Sequence, residues 1–196
     1  FASLHYYLKQ NEFSCVEGDE LRLAFEEISG EDLNWFFDQW FHKKGHPEVN
    51  VNYQLSKVDQ QLEISVFQEA SNMWTFPADV VVYYTDGSSQ KQRLMVRNER
   101  ENFVVKLNNK DVGTVVFDGE SHIPGIIEEN KTEEQWLNTF KLSPLFSDKY
   151  KACQMMAEDA SLRNDLLALA LDDSYYFFRD FAINAMMQNM IPAEFV

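Results

Sequence analysis

The stretch from residue 45 to residue 67, GHPEVNVNYQLSKVDQQLEISVF, marks where the periodicity of the chain changes. Pro47 has no backbone N–H and cannot continue a helix, so the chain must leave it in extended form. Apolar residues then occupy every second position: Val49, Val51, Tyr53 and Leu55, and after a polar break Leu62, Ile64 and Val66. A period of two predicts two β-strands, each with one buried face and one face in water.

More strands of this kind follow. Their apolar residues are Val80–Tyr84, Leu94 with Val96, Phe103 with Val105, and Val115–Phe117. Asp86-Gly87 is a turn signal between the third and fourth of these runs. Six or seven short strands with turns between them predict an antiparallel β-sandwich, to which we assign residues 49–125 as one domain.

Upstream of the strands, residues 1–48 have a helical pattern. Leu21, Phe25 and Ile28 recur at helical spacing, and Gly30 supplies a stop. The next helix carries five large apolar side chains on one face: Leu33, Phe36, Phe37, Trp40 and Phe41. We predict a helical hairpin whose aromatic face needs a large partner surface.

Helical patterns resume in residues 126–196, which we assign to a third domain. Thr132 with Gln135 three residues later forms a capping box. Helices are expected over about 132–140, 147–158, 162–171 and 174–190. The stretch from Tyr176 to Ile183 resembles the second helix of a HEAT-type repeat. The predicted fold class is an α+β multidomain chain: a helical hairpin, an antiparallel β-sandwich and a HEAT-like α-helical array.

The charge balance of the chain limits its partners. The formal net charge is −15, whereas nucleic acids and anionic membranes are bound mainly by Lys and Arg. No apolar stretch approaches the roughly 18 to 20 residues that cross a bilayer. We therefore predict no nucleic-acid partner and no membrane partner.

The two cysteines indicate neither a redox motif nor a zinc knuckle. Cys15 and Cys153 lie far apart without CxxC spacing, and we predict two isolated, buried thiols. Asn130-Lys131-Thr132 fits the glycosylation triplet, which matters only in a secreted eukaryotic protein. The compartment is left unassigned.

His42 and His46 have the i, i+4 spacing with which zinc peptidases place two imidazoles on one helix face. Lys43, however, stands where such a peptidase has its Glu base, and Gly45 with Pro47 ends the helix inside the motif. We predict a helix end here rather than a metal site. His5 and His122 are too isolated to assign.

Other candidate sites also favour structural roles. The neighbouring carboxylates Glu26-Glu27 and Glu128-Glu129 are predicted to be surface groups. The aromatic run Tyr175, Tyr176, Phe177, Phe178 and Phe181 is predicted to be packing core. We predict no catalytic residue, no cofactor-binding residue and no metal ligand in this chain.

One part of the sequence resembles a known family. The stretch from Ser29 to Trp40, SGEDLNWFFDQW, followed by Gly45-His46-Pro47, resembles the end of the catalytic domain in the aminopeptidase N family of gluzincin zinc metallopeptidases. Leu8-Lys9 and Asp19-Glu20-Leu21 are similar to the two lead-in helices of that family. Trp74-Thr75-Phe76-Pro77 with Tyr83-Tyr84 is similar to its small β-sandwich.

The resemblance implies a non-catalytic C-terminal segment of a zinc-dependent aminopeptidase that removes N-terminal residues from peptides. The family's HExxH zinc helix, distal glutamate ligand, GxMEN loop and oxyanion-stabilising tyrosine have no counterpart in this sequence. Zinc and the peptide substrates would belong to the parent enzyme. The implied partners are N-terminal and peptidase domains of the same protein. Without them, we expect this chain to self-associate or to dock its first helical block onto its own sandwich.

Two alternatives stay open. A catalytically inactive relative would keep this scaffold for protein assembly, and an intact or eroded HExxH motif upstream would separate it from the enzyme. An unrelated interaction module of a sandwich and helices is the third hypothesis.

Overall fold

The computed structural model describes residues 1–156 and 161–190 and shows an α+β protein. The chain divides into two compact units, Phe1–Gly45 and His46–Val196. This boundary lies next to Pro47, where the sequence pattern changes. The proposed three-domain division stays a prediction.

The regular secondary structure of the first unit is all helical. It contains α1 (Ala2–Gln10), α2 (Gly18–Ser29) and α3 (Asn34–Phe37), and α3 continues into a π-helix over Asp38–His42. The predicted stop after α2 is confirmed, because Gly30 has a left-handed φ of 73° and its N–H donates to the carbonyl of Glu26.

The π-helix was not foreseen by the helical periodicity. The N–H of Lys43 donates to the carbonyl of Asp38 at 2.9 Å, five residues back. The aromatic side chains nevertheless meet: the rings of Phe37 and Phe41 stack with centroids 4.6 Å apart, and Phe36 lies 6.4 Å from Trp40. Phe37 is buried, whereas Phe41 stays 56% exposed.

The second unit begins with two β-sheets. The strands are β1 (Glu48–Ser56), β2 (Gln61–Gln68), β3 (Phe76–Tyr84), β4 (Ser89–Val96), β5 (Arg100–Lys106), β6 (Val112–Phe117) and β7 (Ile126–Asn130). One sheet has the order β5-β2-β1-β7 and the other the order β4-β3-β6. The alternation that predicted β1 is visible in the burial of Val49 and Val51. All six predicted strand segments are present.

Strand β7 corrects the prediction of a purely antiparallel arrangement. It pairs parallel to β1, from Glu48 opposite Ile126 to Asn52 opposite Asn130. Gly125 precedes β7, and a Cβ there would lie 2.5 Å from the carbonyl oxygen of Pro47, so only glycine permits this approach. The sequence Ile-Ile-Glu-Glu-Asn hides the strand because it does not alternate. The sandwich packing of the sheets stays a prediction.

Four helices follow: α4 (Glu133–Leu142), α5 (Phe146–Met155), α6 (Arg163–Leu171) and α7 (Tyr176–Met190). The predicted capping box is confirmed, since Thr132 Oγ1 accepts from the N–H of Gln135 and Gln135 Oε1 from that of Thr132. Phe140, Leu166 and Phe178 lie in the core of these helices. The HEAT-like character stays a prediction, and residues 157–158 of the second predicted helix lie outside the described residues.

Among the helices that the structure describes, none has the length and apolarity required to cross a bilayer.

Candidate functional site

Glu129 is the centre of a buried polar network. Strand β7 sends successive side chains to opposite faces, so Glu128 is exposed while the side chain of Glu129 is only 1% exposed. The prediction that both carboxylates are surface groups is therefore wrong for Glu129. It was based on helical geometry, whereas the pair lies in a strand.

Four groups surround the Glu129 carboxylate. The ammonium groups of Lys131 and Lys151 lie 3.0 Å from Oε2 and Oε1 respectively. The hydroxyl of Tyr53 donates to Oε2 at 2.5 Å, and the N–H of Phe117 donates to the same oxygen at 3.1 Å. Strands β1, β6 and β7 and helix α5 thus meet at one carboxylate.

The surrounding positive charge keeps Glu129 ionised. Burial by itself raises the pKa of Glu129, but the two ammonium groups and the Tyr53 hydroxyl outweigh this effect and lower it below its ordinary value. Burial and the nearby carboxylate raise the pKa of Tyr53 well above its ordinary value. Tyr53 therefore remains a hydrogen-bond donor at neutral pH.

Lys131 is as deeply buried as its partner, with 1% of its side chain exposed. Its ammonium pairs with Glu129 as an ion pair without the geometry of a hydrogen bond, and it lies 4.3 Å from the ring centroid of Trp136 on α4. Lys131 stands between the end of β7 and the Thr132 cap of α4. The contact with Trp136 partly compensates for lost hydration.

Asp148 lies next to this network in the first turn of α5 and is 5% exposed. The hydroxyl of Ser143 donates to its Oδ2 at 2.5 Å. Burial raises the pKa of Asp148 to about 6, with Ser143 and the ammonium groups of Lys131 and Lys151 opposing that effect. This carboxyl therefore titrates closer to neutral pH than an exposed aspartate.

A cleft of about 340 Å³ opens beside these residues. Its buried floor includes Phe117, Glu129 and Asp148, and its exposed rim includes Ser121 and Tyr150. The volume falls at the lower end of the range of about 300–1,000 Å³ typical of small-molecule sites.

Asp118 lines the same cleft and organises the loop between β6 and β7. It accepts the N–H of His122 at 3.0 Å through Oδ1 and that of Ile123 at 2.8 Å through Oδ2. Burial raises the pKa of Asp118, although these two donors counteract the effect. The cleft therefore brings together three carboxyl groups from three different segments.

The histidines that the sequence singled out take no part in this network. His42 is the last residue of the π-helix, His46 follows the boundary between the units, and both are exposed. The described residues bring together no group of three or more His, Cys, Asp or Glu side chains that could hold a metal ion.

The other candidates give a mixed result. Cys153 is buried as predicted, and burial raises the pKa of its thiol to about 12, but Cys15 is exposed. Cys15 lies in the segment between α1 and α2, in which no residue is buried. Phe178 is fully buried as predicted, whereas Tyr176 is 77% exposed because it opens α7 on its solvent side.

Comparison with known proteins shows which folds this chain is similar to. No protein-family model matches the sequence. The chain is 24% identical over 191 residues to aminopeptidase M1-A of rice, Oryza sativa subsp. japonica, covering 89% of this chain and 21% of that protein. It superposes on the crystal structure of Legionella pneumophila aminopeptidase A in complex with aspartic acid with a TM-score of 0.73 and 16% identity.

The chain has an aminopeptidase-like fold. The superposition covers 88% of this chain but 22% of the Legionella protein, so the chain spans about a fifth of the length of both relatives. Within this aminopeptidase-like fold, the Glu129 network is the most deeply buried ionic feature among the described residues.

Proposed function

We propose that this chain is the non-catalytic C-terminal segment of a zinc-dependent metallo-aminopeptidase that removes N-terminal residues from peptides. It would support the active-site domain and link that domain to the helical domain. The observation that carries this proposal is the likeness of nearly nine-tenths of the chain to about a fifth of two aminopeptidases.

The Glu129 network gives the linking role a physical basis. Lys151 of α5 reaches both Oε1 of Glu129 and the carbonyl of Ile127 at 3.0 Å, which fastens α5 to β7. Asn138 of α4 donates to the carbonyl of Gly113 in β6 at 3.0 Å, and Thr114 and Thr139 hydroxyls meet at 2.8 Å. Strands and helices joined in this way would move as one piece.

Zinc enters this proposal only through the parent enzyme. The described residues bring together no zinc ligand set. We expect the purified chain to bind no stoichiometric zinc and to cleave no aminoacyl reporter. Metal analysis and a peptidase assay test this, and one tightly bound zinc per chain would contradict it.

A graft tests the supporting role directly. This chain would replace the matching segment of rice aminopeptidase M1-A, and hydrolysis of an aminoacyl 4-nitroanilide would be measured. We expect the graft to retain activity and Glu129→Gln to lower its thermal stability. Glu128→Gln is the matched control, because it changes the exposed neighbour on the same strand.

A graft that folds, as judged by circular dichroism and thermal unfolding, but has no activity would count against the supporting role. Recovery of activity by the unmodified rice protein under the same conditions is the positive control. Stable assembly of the inactive graft with other proteins would instead favour the scaffold hypothesis.

A further inference from the structure

One face of the β5-β2-β1-β7 sheet collects asparagine against the preference of β-strands. The seven strands contain four asparagines, and all of them lie in this sheet: Asn50, Asn52, Asn102 and Asn130. On β1 they alternate with the buried Val49 and Val51, so they point away from the core. Asparagine is depleted in strands, and a local rule broken in one place indicates a role other than stability.

The strand register places three of these asparagines in one row. Asn52 lies opposite Ser65 on β2 and Asn130 on β7, and Ser65 lies opposite Asn102 on β5. Residues directly opposite each other share a face of the sheet. The amide of Asn130 donates to Oδ1 of Asn52 at 2.6 Å. A continuous strip of amide and hydroxyl groups therefore crosses the sheet.

A second row lies beside the first and ends in a cation. Asn50 lies opposite Phe67, and Phe67 lies opposite Arg100. The guanidinium carbon of Arg100 is 5.0 Å from the centroid of the Phe67 ring. A guanidinium that packs on a ring keeps its N–H donors in one plane. Glu99 lies 3.7 Å away, too far for a hydrogen bond, so the donors of Arg100 are open to a ligand.

A depression of about 420 Å³ lies over the two rows. Its volume is within the range typical of small-molecule sites. The lining side chains of Asn50, Ser65 and Asn102 have no hydrogen-bond partner among the described residues. Arg100 is the one ionisable side chain in the lining. The depression therefore offers uncharged hydrogen-bonding groups and a single positive charge.

These groups indicate the chemistry of a ligand. A side-chain amide both donates and accepts hydrogen bonds, and so does a hydroxyl group, so a row of amides matches a ligand with several hydroxyls. A guanidinium matches one carboxylate, which it binds through two parallel hydrogen bonds. A cation would find no counter-charge among the lining residues.

We infer that this depression binds an acidic sugar, a pyranose with one carboxylate, with the carboxylate on Arg100 and the hydroxyl groups on Asn50, Ser65 and Asn102. The contacts are charge-assisted at one end of the ligand and neutral along the rest. The inference is independent of the proposed role in an aminopeptidase.

The test is a titration of the full chain with methyl β-D-glucuronide, followed by amide NMR shifts at neutral pH and constant ionic strength. Methyl β-D-glucoside keeps the sugar ring but has a hydroxymethyl group in place of the carboxylate. Cyclohexanecarboxylate keeps the carboxylate and lacks the hydroxyls. We expect saturable shifts in β1, β2 and β5 with the glucuronide, and binding of the other two probes weaker by about fivefold or more.

Two variants separate the two parts of the site. Arg100→Gln should remove the preference for glucuronide over glucoside, and Asn102→Ala should weaken glucuronide binding by about fivefold. Asn108→Ala is the matched control, because Asn108 is an exposed asparagine between β5 and β6. Retained amide dispersion in each variant shows that a loss of binding is not a loss of fold.

Several results would each overturn the inference. Equal binding of glucuronide and cyclohexanecarboxylate would mean that the hydroxyl groups are not recognised. Equal binding of glucuronide and glucoside would mean that Arg100 binds no carboxylate. Unchanged affinity in Asn102→Ala, or no saturation with the glucuronide, would mean that this face of the sheet holds no sugar site.

Discussion

The two units of the molecule differ in how far they bury their aromatic side chains. Phe1–Gly45 is rich in aromatic side chains, yet Ala24 and Phe37 are its two buried residues. The unit that begins at His46 buries aromatic residues such as Phe76, Phe117 and Phe140, and also buries ionised groups such as Glu129. Both units contain many aromatic side chains, but the second unit buries more of them.

The difference shows that a hydrophobic face and a hydrophobic core are different properties. A helical hairpin can place Phe36, Phe37 and Phe41 together through local spacing alone. A core requires elements from distant parts of the sequence to enclose one another, as β1, β6, β7 and α5 do around Glu129. Stability in the second unit should therefore depend on long-range partners.

The largest expected effect tests the long-range partners. Glu129→Gln leaves the ammonium groups of Lys131 and Lys151 without a counter-charge, and we expect the unfolding free energy to fall by about 3–5 kcal/mol. Urea unfolding at pH 7 measures it. Glu128→Gln, on the exposed side of β7, should stay within about 0.5 kcal/mol. Equal effects of the two variants would contradict the claim that the second unit depends on its buried long-range partners.

A second effect depends on pH. The pKa of Asp148 rises on folding from 3.8 to about 6, so the native state binds more protons than the unfolded state between these values. This group therefore favours the fold at low pH and loses that contribution as pH rises, by at most about 3 kcal/mol. Asp148→Asn lacks this dependence.

The stability of Asp148→Asn relative to the unmodified chain should therefore improve between pH 4 and pH 7, roughly the window over which the Asp148 contribution is lost. Thermal unfolding in a series of buffers measures the difference. Asp165→Asn, which changes an exposed aspartate on α6, should show no such trend, and a trend of the opposite sign would contradict the assigned cause.

A smaller effect tests whether a local helix cap stabilises the second unit as much as the buried network around Glu129 does. Thr132→Ala removes the side chain that accepts the N–H of Gln135, and we expect a loss of about 1 kcal/mol. Chemical denaturation measures it, with Ser89→Ala on the exposed start of β4 as control. A loss as large as that of Glu129→Gln would mean that capping, rather than the buried network, dominates the second unit.

The smallest effect on stability concerns the exposed aromatic side chains of the first unit. Phe36→Ser and Phe41→Ser change residues that are 37% and 56% exposed, so unfolding free energy should change by less than about 1 kcal/mol. Self-association should fall more clearly, because exposed apolar patches of a few hundred Å² find partners. Light scattering over a concentration series measures it.

Val58→Ser is the control for that measurement, since Val58 is 94% exposed in the second unit. A chain that is monomeric at all concentrations would contradict the expected self-association. A reduction by Val58→Ser as large as that by Phe41→Ser would show that the aromatic face is not the contact.

Local signals in the sequence predicted most of the secondary structure. The alternation from Val49 to Leu55 corresponds to β1, the stop at Gly30 ends α2, and the Thr132 box caps α4. Each depends on residues within one or two turns. The π-helix at Asp38–His42 escaped because helical periodicity does not distinguish a bond to the fourth residue from one to the fifth.

The network around Glu129 could not be predicted in the same way. Its members Tyr53 and Glu129 are separated by 76 positions, and a glutamate is rarely buried without a partner. Lys131 directly before a capping box, with Trp136 in the following helix, was the nearest local hint of a buried cation. Cleft and network depend on the parallel pairing of β7, which the sequence pattern did not show.

The pairing of β1 with β7 has a consequence for the order of synthesis. Strand β1 meets β2 across a short turn as both leave the ribosome, but its other edge finds β7 only after residue 130 has been made. Until then β1 presents an unpaired strand edge, which is a site for pairing with other chains. A nascent chain arrested before β7 therefore exposes an edge that the finished chain covers.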